Sequence, residues 1–345
     1  MSLVLYGERS WNPLGRTVEL TEEQYRRGGK ATPLDELNLG AMAEAYRRGL
    51  WLGGGGTLRP LDGLPDGPGA VPVTRVTGTA SPVKVRQAAS FARALGELAV
   101  RRCGGPGQVA ALAARADAEG VPLWIARRIA QGPVGPVAVA VDRRLVRVDV
   151  WGPDAPAVRI RAPHGFRRDH PDPSQGLCLT VGDTRAELTL RKKLRKSRST
   201  VEVRLPGAHW ALRRENATSS WLLRGDRRVA LLGRPPRRPA REPGRVLLPL
   251  SPVHHESNDP LDAVMAHAFA VAFGVGDTTG IARFRPDGYA SGAEPMADET
   301  AWDRPWFSNL GNGGDDNEPG GGDGWGTDGG DSGGDGGGDG GGGGD

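Results

Sequence analysis

The chain has little cysteine, no long hydrophobic run and no leader-like segment. Its two cysteines, Cys103 and Cys178, are far apart and match no CxxC or zinc-ligand spacing, so the sequence predicts neither a zinc site nor a redox motif. No window reaches the roughly 18 consecutive apolar residues of a membrane-spanning helix. The first residues lack a basic segment followed by an apolar one, so we expect no secretory signal. Together these absences predict a reduced, cytoplasmic protein.

Sequence fingerprints of common enzyme classes are also missing. The sequence contains no GxSxG, P-loop or dinucleotide-binding pattern. We therefore predict no cofactor and no resident metal, and the sequence names no catalytic residue. The sequence therefore favours a non-enzymatic function.

Charge is distributed unevenly along the chain. Residues 137–250 contain 25 Lys and Arg against 11 Asp and Glu, a net charge of +14, whereas residues 311–345 contain nine acids and no base. The hydrophobic fraction of 37% is low, so part of the chain is not packed core. We predict that residues 278–345, rich in Gly and Asp, form a disordered tail. This acidic tail is a candidate intramolecular partner of the basic centre.

The N-terminal part, residues 1–136, is predicted to be a helical region with Gly- and Pro-rich linkers. Asn38 is a suitable N-cap for the first helix, and Gly120 is suited to end the third. We expect helices over residues 38–50, 83–102 and 107–119. Between the first two, a stretch rich in Gly and Pro breaks the helical pattern.

At residue 137 the pattern changes to the period of two that is typical of strands. "VAVAVDRRLVRVDVW" predicts a hairpin that turns at 142–144, with Val148 on one face of its second strand and Arg147 and Asp149 on the other. About ten short strand candidates follow one another before Leu250, the last of them "RVLLPL". Because no helix alternates with them, they indicate an antiparallel barrel or sandwich.

The stretch "DPLDAVMAHAFAVAF" predicts a short helix over residues 260–273. Asp259 is a good N-cap, Pro260 suits the first helical position, and Gly274 can end the helix. A helix that is apolar on every side must be surrounded by protein. A closed sheet around the helix is the arrangement that we favour, and a helix packed under an open sheet is the alternative. The predicted fold is α+β, with an antiparallel β-barrel over 137–277 that encloses the helix.

The basic meander, the segment "HWALRRENATSSWLLRGDRRVALLGR", the segment "GRVLLPL" and the apolar C-terminal helix together resemble the tubby-like superfamily. The nearest local match is "GDRRVALL", which is similar to the G-x-x-V-(A/G)-x-I hairpin of phospholipid scramblases and LURP-one-related proteins. The resemblance spans about residues 140–275. It implies a closed barrel around a central hydrophobic helix, and a phosphoinositide or other acidic lipid as ligand. The chain lacks the Cys-rich cluster and acidic calcium loop of scramblases, so we do not predict scrambling.

One run of basic residues is the candidate binding patch. Such a run repels itself unless an anion is near, so it indicates a hairpin loop that faces an anionic partner. Acidic phospholipid headgroups come first among the partners. Nucleic acid is an alternative, although no aromatic residue for base stacking occurs from Thr184 to Leu205. A protein partner and a merely solvated loop remain open. The patch consists of Arg191, Lys192, Lys193, Arg195, Lys196 and Arg198.

Histidines suggest the rival class, a metal- or His-dependent enzyme. His254, His255 and Asp259 are candidate metal or acid–base residues, but adjacent side chains on a strand point to opposite faces. A second candidate is the loop 164–172. His267 lies within the predicted helix and is a candidate core residue. The third class is an interaction scaffold. We predict a cytoplasmic protein, peripheral to the inner membrane face, that binds anionic phospholipid or another polyanion.

Overall fold

The computed structural model describes residues 3–8, 17–167, 170–235 and 246–284, and these contain nineteen strands and four helices. The helices are α1 (Leu39–Arg47), α2 (Ala88–Arg102), α3 (Pro106–Glu119) and α4 (Pro260–Ala272). The first eight strands are β1 (Val4–Gly7), β2 (Val18–Thr21), β3 (Gln24–Arg27), β4 (Lys30–Pro33), β5 (Leu50–Leu52), β6 (Leu58–Pro60), β7 (Gly69–Thr74) and β8 (Ala80–Val85). The other eleven are β9 (Arg127–Gly132), β10 (Gly135–Asp142), β11 (Arg147–Trp151), β12 (Val158–Arg161), β13 (Cys178–Val181), β14 (Thr184–Arg191), β15 (Thr200–Leu205), β16 (Ala208–Arg214), β17 (Ser219–Arg224), β18 (Arg227–Gly233) and β19 (Val253–His255).

The N-terminal region mixes strands with helices, so the prediction of a helical region was wrong in part. Strands β1 to β4 form one antiparallel sheet, while β5–β6 and β7–β8 form two separate hairpins. These strands have three to six residues each and are separated by Gly- and Pro-rich links. Runs this short do not show a clear alternation of apolar and polar residues, so the sequence did not predict them. The apolar faces of these strands pack with helices α1 and α2 to form one hydrophobic core. Trp51, Phe91 and Leu95 are fully buried in it.

The three N-terminal helices are present at nearly the predicted positions. The Asn38 side chain accepts a hydrogen bond from the Ala41 amide at 3.1 Å and so caps α1. Helix α3 ends at Gly120, whose φ of 64° is the left-handed conformation that glycine adopts readily. Helix α2 begins at Ala88 rather than at residue 83, because the residues before it pair as strand β8.

Strands β9 to β19 form one eleven-stranded antiparallel sheet in which every strand pairs with its neighbours in sequence. The sheet curves into a nearly closed barrel. It begins at Arg127, ten residues before the predicted boundary at 137. The sequence did not predict strand β9, because "RRIAQG" has one large apolar residue, Ile129, and therefore shows no alternation. In the fold this side chain is 64% exposed.

The first and last strands of the sheet come near each other. Arg128, in β9, donates from Nε to the carbonyl oxygen of Leu248 at 2.6 Å, just ahead of β19. The predicted strand "RVLLPL" is wrong for its described residues, 246–250, which form no strand. Pro249 cannot donate a ladder hydrogen bond, and the pairing with β18 is made instead by β19.

Helix α4 is buried along its length. Asp259 caps it by accepting from the Leu261 amide at 2.8 Å, as predicted. Met265, Ala266 and Val271 point in three directions roughly 120° apart, since each residue turns an α-helix by about 100°. Their exposed fractions are 0%, 0% and 3%. The helix packs against β9 to β12 and against β18 and β19, near both ends of the sheet order. In the described part of the chain, no helix has the length and apolarity needed to cross a membrane.

Candidate functional site

The basic loop, residues 191–198, connects β14 to β15, and all eight of its residues are exposed. Lys196 forms an ion pair with Asp277 at 3.2 Å between Nζ and Oδ2. Among the described residues, the other five cations of the loop pair with no acidic side chain. These five are Arg191, Lys192, Lys193, Arg195 and Arg198. The structure therefore brings together all six residues of the predicted patch and leaves five of their charges open to solvent.

Hydrogen bonds within the basic loop hold its shape. The Ser199 hydroxyl accepts from the Lys193 amide at 3.0 Å, which ties the two ends of the loop together. The amide of Arg198 donates to the carbonyl of Arg195 at 2.8 Å, and that of Ser199 donates to Lys196 at 3.1 Å. The loop is thus ordered before any partner arrives, which lowers the entropy lost on binding.

The segment that follows α4 supports the base of the basic loop. A Cβ at Gly280 would lie 2.5 Å from the carbonyl oxygen of Arg191, and Gly280 has a φ of 92°. Asp277 accepts from Arg214 Nε at 2.8 Å as well as from Lys196. These contacts hold the pKa of Asp277 below its usual range, chiefly through the Arg214 hydrogen bond. The carboxylate stays charged and cancels part of the positive field at this point.

A buried carboxylate, Asp262, lies at the N-terminal end of α4. Its side chain is 1% exposed and accepts from Trp210 Nε1 at 2.9 Å and from the Ser257 hydroxyl at 2.7 Å. Arg224 Nη1 lies 3.3 Å from Asp262 and 2.5 Å from Asp259. Partial burial acts to raise the pKa of Asp259, but the Arg224 hydrogen bond and the capped amide outweigh it and lower that pKa. These contacts fix the helix against β16 and β17.

A second buried carboxylate, Asp149, joins the barrel to α3. Although Asp149 is fully buried, three arginines donate to it: Arg147 at 2.9 Å, Arg159 at 3.1 Å and Arg161 at 2.5 Å. Arg147 and Arg159 also donate to the carbonyl of Gly120 at the end of α3, at 2.8 and 3.3 Å. Burial lowers the pKa of Arg161, and Asp149 opposes that effect. These arginines therefore serve the fold rather than a ligand.

The structure separates the predicted metal or acid–base residues. His254 is exposed and points away from the core, Asp259 caps α4, and His255 instead faces His267 with ring centroids 5.4 Å apart. Burial lowers the pKa of both facing rings, that of His267 to about 4, while the nearby backbone of Gln131 acts in the opposite direction. Their Nε2 atoms are buried without a hydrogen-bond partner among the described residues. Two histidines alone make an incomplete ligand set for zinc.

The second candidate loop, 164–172, forms no catalytic cluster in its described part. His164 is exposed, and His170 lies with Nδ1 3.0 Å from the carbonyl oxygen of Asp172. The Asp172 carboxylate accepts from the amide of Ser174 at 3.0 Å. Asp169 lies outside the described residues. Across the described part of the chain, no group of three or more His, Cys, Asp or Glu side chains could hold a metal ion.

Sequence patterns did not predict the acidic partners. Asp277 lies 81 residues from Lys196 in the chain. It follows α4 in "GVGDTTG", a segment without a recognisable pattern. Asp149 lies on a predicted strand and Asp262 within the predicted helix 260–273, but nothing in the neighbouring sequence indicated that each would be buried among arginines.

Comparison with protein-family models, with curated proteins and with solved structures gave no match to this chain. The geometry of the basic loop is therefore the main guide to function.

Proposed function

We propose that this chain binds an anionic partner through the basic loop, and that this partner is the acidic phospholipid headgroups of a membrane surface. The observation that carries the proposal is the set of five exposed cations that pair with no described acidic side chain. A cation near an anionic leaflet contributes on the order of 1 kcal/mol, so several on one loop give useful affinity. We propose binding rather than catalysis because exposed positive charge, which attracts an anion, is the feature that supports a function here.

The resemblance to the tubby-like superfamily supports the same partner. It implies acidic lipid as ligand and a barrel that encloses its apolar helix. We propose that α4 lies inside the barrel, a proposal supported by the burial of its three differently directed residues Met265, Ala266 and Val271. In a chain with Cys103 and Cys178 replaced by serine, cysteines at these three positions should all resist thiol labelling of the folded protein. Fast labelling at any one of them would indicate an open side.

Vesicle binding tests the lipid proposal directly. We expect the triple variant Lys192→Gln/Lys193→Gln/Arg195→Gln to bind anionic vesicles about a hundredfold more weakly at low salt, since it loses three contributions of about 1 kcal/mol. The matched control carries the same loss of charge on the exposed helical arginines Arg93, Arg101 and Arg115. It should bind almost as the unchanged protein does.

The control variant and a comparison with duplex DNA decide between explanations. Equal weakening in both triple variants would mean that net charge, rather than the basic loop, drives binding. Binding to duplex DNA as strong as binding to vesicles, at the same salt, would favour a nucleic-acid partner. If the unchanged protein binds neither, even at low salt, the proposed function is wrong.

A further inference from the structure

The most exposed large apolar side chain in the described part of the chain lies in the middle of the basic loop. Leu194 has a relative exposure of 103%, against 64% for Leu3 and Ile129. Two cations precede it and two follow it: Lys192, Lys193, Arg195 and Lys196. A single exposed leucine is ordinary on a protein surface. Its place at the centre of this charge cluster is what calls for an explanation.

The loop holds Leu194 away from the protein surface. The Ser199 hydroxyl fixes Lys193 on one side, and the Arg198 amide fixes Arg195 on the other. Lys196 is anchored to Asp277 on the segment that follows α4. Leu194 is thus carried on an ordered support and makes no compensating apolar contact, since its side chain is fully exposed.

We propose that Leu194 inserts into the acyl boundary of a bilayer when the basic loop contacts anionic headgroups. The inference rests on the proposed function and deepens it, because it distinguishes a membrane from a soluble polyanion. Cations beside Leu194 remain at the level of the headgroups, while an apolar side chain between them can reach the boundary several ångströms deeper. A soluble polyanion offers the same phosphate or sulfate charges but no apolar phase for the leucine.

The test compares Leu194→Ala with the unchanged chain on two probes. The probes are phosphatidylcholine vesicles with about 30% phosphatidylserine and heparin, a soluble polyanion. We expect Leu194→Ala to weaken vesicle binding about tenfold, because most of the apolar side chain that the bilayer would bury is removed. Heparin binding should be unchanged. The control Leu58→Ala, at a leucine that is 39% exposed on β6, should change neither.

Depth of insertion gives an independent readout. Leu194→Trp should be quenched by lipids brominated on their acyl chains, beyond the quenching of the unchanged chain's own tryptophans. Equal vesicle binding by Leu194→Ala and the unchanged chain, or an equal loss on vesicles and heparin, would overturn the insertion proposal. Weak vesicle binding by the triple charge variant would still support the proposed function in that case. Absence of vesicle and heparin binding by the unchanged chain would defeat both.

Discussion

His267, in the middle of the buried helix α4, should make the barrel sensitive to acid. Its side chain is 4% exposed, and burial lowers its pKa from 6.5 to about 4, with the neighbouring His255 adding to the effect. In the unfolded chain the imidazole takes up a proton below about pH 6.5, whereas in the folded chain it resists protonation until about pH 4. Stability is therefore fully present above pH 6.5 and is lost as the pH falls from about 6.5 to about 4.

The magnitude follows from the size of the pKa difference. A difference of about 2.5 units at 1.36 kcal/mol per unit corresponds to about 3 kcal/mol. His255 should add in the same direction, since burial lowers its pKa too. A loss of about 3 kcal/mol is a large part of the free energy of unfolding of an ordinary domain. The barrel transition should move visibly within this pH range.

The variant His267→Leu isolates this contribution, because leucine fills an apolar site without titrating. Urea unfolding, measured at steps from about pH 7.5 to about pH 4, gives the free energy of unfolding for each protein. We expect His267→Leu to gain about 3 kcal/mol relative to the unchanged chain as the pH falls through this range. His254→Leu, at the exposed histidine of β19, is the matched control for replacing a histidine by leucine. A difference between His267→Leu and the unchanged chain that stays constant with pH would refute the reasoning.

Three further predictions concern the acidic residues of the chain. Asp262→Ala leaves the buried Trp210 indole and the buried Ser257 hydroxyl without their acceptor and should lower barrel stability by about 3 kcal/mol in urea unfolding, whereas Asp226→Ala in the exposed turn should have little effect. Asp149→Ala should cost at least as much, about 3 to 5 kcal/mol, because three arginines lose a shared buried partner; a loss near zero would show that they find new acceptors. Deletion of 311–345, which lies outside the described residues, should strengthen vesicle binding at about 50 mM salt and change little at about 0.3 M, and equal binding by both proteins at both salts would show that the tail does not screen the basic loop.

Barrel strands with a strong period of two were predictable from the sequence, and those without it were not. Strands β12 and β15 carry this period: Val158 and Ile160 are buried in β12, and Val201 and Val203 are buried in β15, with partly exposed residues between them. β9 and β19 show no such alternation. They are strands because a neighbouring strand offers them a ladder of hydrogen bonds, and that information lies outside their own residues.

The N-terminal strands illustrate the same limit. In the hairpin of β7 and β8, Pro72 lies opposite Pro82, and a proline within a short run argues against a strand when only that run is considered. Helix α3 was predictable because its start, its periodicity and Gly120 agree locally. Local agreement, rather than element type, decided which predictions were confirmed.

The sequence predicted the positive charges of the barrel region, but not that buried carboxylates neutralise several of them. The net charge of +14 over residues 137–250 overstates the field that a ligand meets. Arginines in that region surround Asp149 and Asp262, and Arg144 pairs with buried Asp142 at 2.7 Å. Buried pairs of this kind maintain the fold and are closed to an external anion. The basic loop differs because its charges are exposed on an ordered hairpin, so five cations, rather than the whole excess, set the expected affinity and its dependence on salt.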